Sequence, residues 1–273
     1  MTGSEDAGRA DALLVGVIRS GDLEHLAGIL AANPELANAR LATSRSGLRT
    51  PLHVVTDWPG YYPNGPEAVR LLIAAGADPN GTIGGRLSET PLHWAASTDD
   101  VDVAEALIEG GAELETPGAS IAGGPPLDNA VGYGCWHVAR LLVRRGARVD
   151  RLWHAAALGD LTRLSQLTTG DPPPGQTQLD EAFWHACHGG QLRAAEYLLG
   201  LGADIDSIPG YTDSTPLEVA GSTDTRRDLL TDWLRQQGAR PRPEGTPAGQ
   251  AVVTRISALT YGAWAICAVD VGR

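Results

Sequence analysis

Apolar residues recur along this chain in short blocks at helical spacing. Val69, Leu72 and Ile73; Val103, Leu107 and Ile108; Val138, Leu141 and Leu142; and Ala195, Leu198 and Leu199 each fall on one face of a 3.6-residue helix. A Gly-Ala dipeptide follows each block, at Gly76-Ala77, Gly111-Ala112, Gly146-Ala147 and Gly202-Ala203, and recurs at Gly238-Ala239. Glycine takes the left-handed conformation without penalty, so these positions predict helix stops. The steps between the five glycines are 35, 35, 56 and 36 residues. The long step leaves room for one degenerate unit around Gly159-Asp160-Leu161, which echoes Gly21-Asp22-Leu23 near the start.

A second marker opens the units. Thr-Pro-Leu stands at Thr50-Pro51-Leu52, Thr90-Pro91-Leu92 and Thr215-Pro216-Leu217, with a weaker version at Pro125-Pro126-Leu127. Threonine accepts a bond from an orphan amide at a helix start, and proline in the next position has no amide to orphan. Each unit is therefore a pair of short helices with too little apolar face to stand alone, and neighbours must stack to bury it.

Thr90-Pro91-Leu92-His93-Trp94-Ala95-Ala96, followed at the right offset by Val103 to Ala112, resembles an ankyrin repeat, and Thr50-Pro51-Leu52-His53 is similar to the same motif. The resemblance covers about seven units over roughly residues 9–240 and implies an all-α fold, an ankyrin-repeat solenoid of helix-turn-helix units with short turn or hairpin fingers. The chain divides into an N-terminal tail (1–8), a first sub-array of about four units (9–150), a second of about three (151–240), a Pro/Gly linker (241–250) and an apolar C-terminal segment (251–273). Two departures stand out. Pro59 to Gly65 is inserted between the helices of the second unit, and Val149-Asp150 runs almost directly into Leu152-Trp153-His154, where a finger is missing.

The balance of 21 Lys plus Arg against 33 Asp plus Glu gives a net charge of −12, which repels a polyanion, so nucleic acid is not the expected partner. Every one of the cations is Arg, which excludes Schiff-base chemistry and a P-loop lysine. The three cysteines, Cys135, Cys187 and Cys267, are widely spaced and fit a reducing compartment better than a disulfide scaffold. No uncharged apolar run reaches the length of a membrane span, and no secretory signal opens the chain. The expectation is a cytoplasmic protein with no membrane attachment; Arg-only cations and abundant Ala and Gly suggest a bacterial-type cytoplasm.

Candidate chemistry is sparse. His185-Ala186-Cys187-His188 puts three potential metal ligands within four residues, with His185 and His188 on one helix face, and supports an alternative reading as a metal- or small-molecule-responsive regulator or small enzyme. The repeat register explains the same positions as structural, so neither a cofactor nor a metal is expected. The resemblance instead implies a non-enzymatic scaffold or adaptor that binds a protein partner through its finger tips and first-helix face. Mapped onto this sequence, the expected partner-binding residues are Arg49, Trp58, Tyr61, Tyr62, Arg86, Glu89, Thr98, Tyr133 and His188. Tyr, Trp and Arg among them are the types that dominate binding hot spots. The net charge favours a basic or mixed partner surface, with Arg49, Arg70 and Arg86 as candidate local exceptions.

Overall fold

The computed structural model describes residues 2–42, 47–83, 88–221 and 228–242, which form two compact units, Met1–Arg148 and Val149–Arg273. The linker beyond residue 242, the apolar segment 251–273 and Arg86 lie outside the described residues. In the first unit four helix pairs follow one another: α1 (Thr2–Ser20) with α2 (Leu23–Ala32), α3 (Pro51–Val55) with α4 (Gly65–Ala74), α5 (Pro91–Thr98) with α6 (Val101–Glu109), and α7 (Pro126–Gly132) with α8 (Trp136–Arg144). First helices pack on first helices, α1 on α3, α3 on α5 and α5 on α7, and second helices do the same. In the second unit α9 (Leu152–Leu158) pairs with α10 (Leu161–Thr168), α11 (Gln176–His188) with α12 (Leu192–Gly200), and α13 (Pro216–Gly221) with α14 (Asp228–Gln236). The all-α repeat architecture predicted from the apolar spacing is the one found.

The Gly-Ala stops act as foreseen. The five glycines have φ between 95° and 103°, and the amides of Ala77, Ala112, Ala147, Ala203 and Ala239 reach back to the carbonyls of Leu72, Leu107, Leu142, Leu198 and Leu234 at 2.9–3.1 Å. This closes each second helix with a Schellman turn and tucks the alanine methyl into the core. Between the pairs, a side chain of one repeat holds the backbone of the next. Asn80 donates to Gly111 O at 3.1 Å and accepts from the Glu113 amide at 2.8 Å; Asn38 does the same for Gly76 O and the Asp78 amide. In the second unit Asp206 accepts from the Arg240 amide at 2.8 Å.

The Thr-Pro-Leu-His motif builds a second inter-repeat link. Thr50 and Thr90 are extended residues at the starts of α3 and α5, and their amides donate to Nδ1 of His53 and His93. That fixes the proton on Nε2, which donates to Glu89 O at 3.1 Å from His53 and to Gly124 O at 3.3 Å from His93. Both imidazoles are fully buried, and burial lowers the pKa of His53 to about 3. The first finger is a two-residue ladder, β1 (Leu41–Ala42) antiparallel to β2 (Leu48–Arg49). The links 110–125 and 201–215 are long, whereas 145–151 and 169–175 are short.

Candidate functional site

The insertion after α3 is the feature that sets the first unit apart, and it is held at both ends by neighbouring repeats. Asn64 Nδ2 donates to Gly21 O at 2.9 Å, at the turn between α1 and α2. At the other end the Tyr61 amide donates to Asp100 Oδ2 at 2.7 Å and the Tyr61 hydroxyl to Asp99 O at 2.5 Å, at the turn between α5 and α6. Tyr62 closes the loop internally, its hydroxyl donating to Trp58 O at 2.9 Å. The loop therefore braces three successive repeats. Glycine is required at Gly21, where φ is +68° and a Cβ would lie 2.2 Å from Pro63 O.

This brace leaves two aromatics in solvent: Trp58 is 44% exposed and Tyr61 66%. Asp57, next to Trp58 in the chain, centres an ion cluster. Asp57 Oδ2 accepts from Arg19 Nη2 at 2.7 Å and also from Arg49 Nη1, while Asp57 Oδ1 accepts from the Trp58 amide at 3.0 Å. The Arg19 guanidinium lies 5.8 Å from the centre of the Tyr62 ring. Arg19, Arg49 and Tyr62 thus gather at the Asp57–Trp58 end of the loop, and Tyr61 stands at the end held by Asp99 and Asp100. The carboxylates at the Tyr61 end are already engaged. Asp100 caps α6 through the Val103 amide at 3.2 Å, and Asp99 accepts from the Val138 amide at 2.9 Å and pairs with His137 at 2.7 Å. Burial first, and the neighbouring Asp99 and Asp100 charges next, raise the Tyr61 pKa, so its phenol stays neutral.

Other expected contact residues are placed elsewhere. Glu89 is buried rather than at an open tip: it accepts from Trp94 Nε1 at 3.1 Å, the Ser120 amide at 2.9 Å and Asn129 Nδ2 at 2.7 Å, knotting one finger to the next repeat. Thr98 is also buried; its hydroxyl returns to Trp94 O and Ala95 O, and Gly60 of the insertion covers it. Tyr133 is half-buried, with its hydroxyl 3.1 Å from Ser120 Oγ. Arg19 was missed by sequence reading, because nothing local marks the last turn of α1 as converging on Asp57.

In the second unit His188 is half-buried beside Trp184, with ring centres 5.0 Å apart. His185 sits between Trp153, at 4.7 Å, and Trp184, at 5.1 Å, and its Nε2 is 2.9 Å from the Tyr211 hydroxyl. Burial, and then the nearby His188 and His154, push the His185 pKa well below its usual value. Cys187 is fully buried in the apolar core, and burial pushes its thiol up, away from the thiolate that a metal needs. Among the described residues no group of three or more His, Cys, Asp or Glu is arranged to hold a metal ion. No described helix is long and apolar enough to cross a membrane.

Residues 60–151 match the family model for ankyrin repeats, in three copies. Residues 60–151 are therefore ankyrin repeats, and the same paired-helix register continues on either side of them. Among solved structures it is similar to the human ASB11 ankyrin repeat domain, with 24% identity, a TM-score of 0.41, and coverage of 74% of this chain and 90% of that one. No curated protein sequence matches. Ankyrin repeats are, as a class, protein-protein interaction modules.

Proposed function

We propose that the chain is a non-enzymatic scaffold or adaptor whose recognition surface on the first unit is the braced insertion, with Trp58 and Tyr61 as its anchors. The observation that carries this reading is that large aromatic side chains stand in solvent on a loop tied to two flanking repeats. A loop fixed in advance loses little conformational freedom on binding, so the aromatic area converts into affinity with little ordering cost. Trp and Tyr are among the residue types that dominate binding hot spots. The buried neutral imidazoles and buried thiols favour packing roles over acid-base or nucleophilic ones. Among the described residues Cys135 and Cys187 are free and buried, which also suits the reducing, cytoplasmic setting we propose.

An affinity pull-down from native lysate tests the surface, comparing wild type with Trp58→Ala, Tyr61→Ala and Tyr133→Ala. The expected result is a protein retained by wild type whose affinity falls about tenfold or more with Trp58→Ala or Tyr61→Ala. The half-buried Tyr133 should matter less, and far-UV ellipticity should stay unchanged throughout. Retention of every partner by both insertion variants would show that the surface lies elsewhere.

A further inference from the structure

We propose that the partner presents an acidic side chain to this surface, a carboxylate docking on Arg19 beside the Tyr62 ring. The inference rests on the insertion being the recognition surface and adds the sign of the partner's charge. Two guanidiniums converge on a single carboxylate oxygen, Asp57 Oδ2, so the cluster holds two positive charges against one negative. The second oxygen of Asp57 is taken by the Trp58 amide. Each guanidinium has five donors in a planar fork, of which Asp57 takes one from each; Nε of both is buried, so an incoming carboxylate would meet the Nη groups of the more exposed Arg19.

The two arginines differ in access. The Arg49 side chain is 12% exposed and forms the floor, whereas that of Arg19 is 37% exposed and forms the rim. Stacking near the Tyr62 ring restrains the Arg19 fork. A restrained guanidinium with donors to spare is the geometry that recognises carboxylates. Asp99 and Asp100 keep their charge at the Tyr61 end of the loop, but their oxygens are turned to the amides of Tyr61, Val103 and Val138 and to His137, whereas Arg19 and Arg49 meet at Asp57. The net charge of −12 acts at long range, but its field is screened over about 8 Å at physiological salt, so at contact the two guanidiniums that share Asp57 decide.

The test is selection of a random 12-residue peptide library displayed on phage against the full chain. Recovered peptides, made synthetically, are then titrated against wild type, Arg19→Ala, Arg19→Lys and Trp58→Ala by fluorescence polarisation. Peptides that need Trp58 should share an Asp or Glu at a fixed distance from an apolar residue. Arg19→Ala should weaken them about tenfold, as for one charge-assisted hydrogen bond, and Arg19→Lys should restore part of the loss. Replacing the peptide's acid with Ala should cost nothing further in Arg19→Ala. Equal urea midpoints for Arg19→Ala and wild type separate loss of charge from loss of fold. Trp58-dependent peptides that lack a fixed acid, or that bind Arg19→Ala as well as wild type, would overturn the carboxylate assignment and leave the surface standing. Peptides indifferent to Trp58→Ala, or no binders at all, would overturn both.

Discussion

Replacing Gly21 by alanine tests whether the insertion is held on the helix turn beneath it. The added Cβ would lie 2.2 Å from Pro63 O, 2.7 Å from Pro63 C and 2.8 Å from Pro63 Cβ, with the backbone at φ +68°. Gly76 is the control: its φ is +96°, and a Cβ there meets nothing within 4 Å. Gly76→Ala should therefore cost only the left-handed backbone penalty, about 1–2 kcal/mol. Gly21→Ala carries the same penalty and must also push Pro63 away. The obstacle is backbone, not the end of a flexible side chain, so overpacking adds about 1–3 kcal/mol. The Asn64–Gly21 bond lost with that shift adds roughly 1 kcal/mol. At about 2–4 °C per kcal/mol for a chain of this size, the control should melt roughly 4 °C lower and Gly21→Ala roughly 10 °C lower. Thermal and urea melts followed by far-UV circular dichroism and by tryptophan fluorescence measure both. Equal shifts for the two variants would refute the brace.

Two further outcomes follow from the buried polar groups. Burial depresses the His53 pKa from 6.5 to about 3, so below pH 6.5 the unfolded chain binds a proton that the folded chain does not. Stability is thus full above pH 6.5 and falls as the pH drops toward 3; at pH 5 the loss from His53 alone is about 2 kcal/mol. His93 and His185 are shifted the same way by burial and add to it. Urea midpoints at pH 7.5 and pH 5 should differ accordingly, and equal midpoints would show that these imidazoles are not buried in solution. Glu89→Gln turns one of the two accepting oxygens into a donor, which leaves at least one of the three donors facing it, so it should destabilise by about 2–3 kcal/mol, read as a lower melting temperature with helicity kept. A variant as stable as wild type would mean that Glu89 stands open at the finger.

The repeat itself was legible in the chain because its determinants are local. A Schellman turn needs Gly followed by a small residue, and a Thr-Pro start needs only its own first turn, so Gly76-Ala77 and Thr90-Pro91 announce their conformations within a few residues. The stacked fold follows, since Val103 and Leu107 mark a face that one helix pair cannot bury. Long-range partners were not legible. Arg19 reaches Asp57 across 38 positions, and Tyr61 reaches Asp99 and Asp100 across 38 and 39. Nothing in the spacing separates Glu89, which is buried under three donors, from an exposed acid at a finger tip. The chain alone determined which layers form and where each one stops. Only the packed array decided which side chains face solvent, because exposure is a property of neighbouring layers and those contacts join residues a full repeat apart.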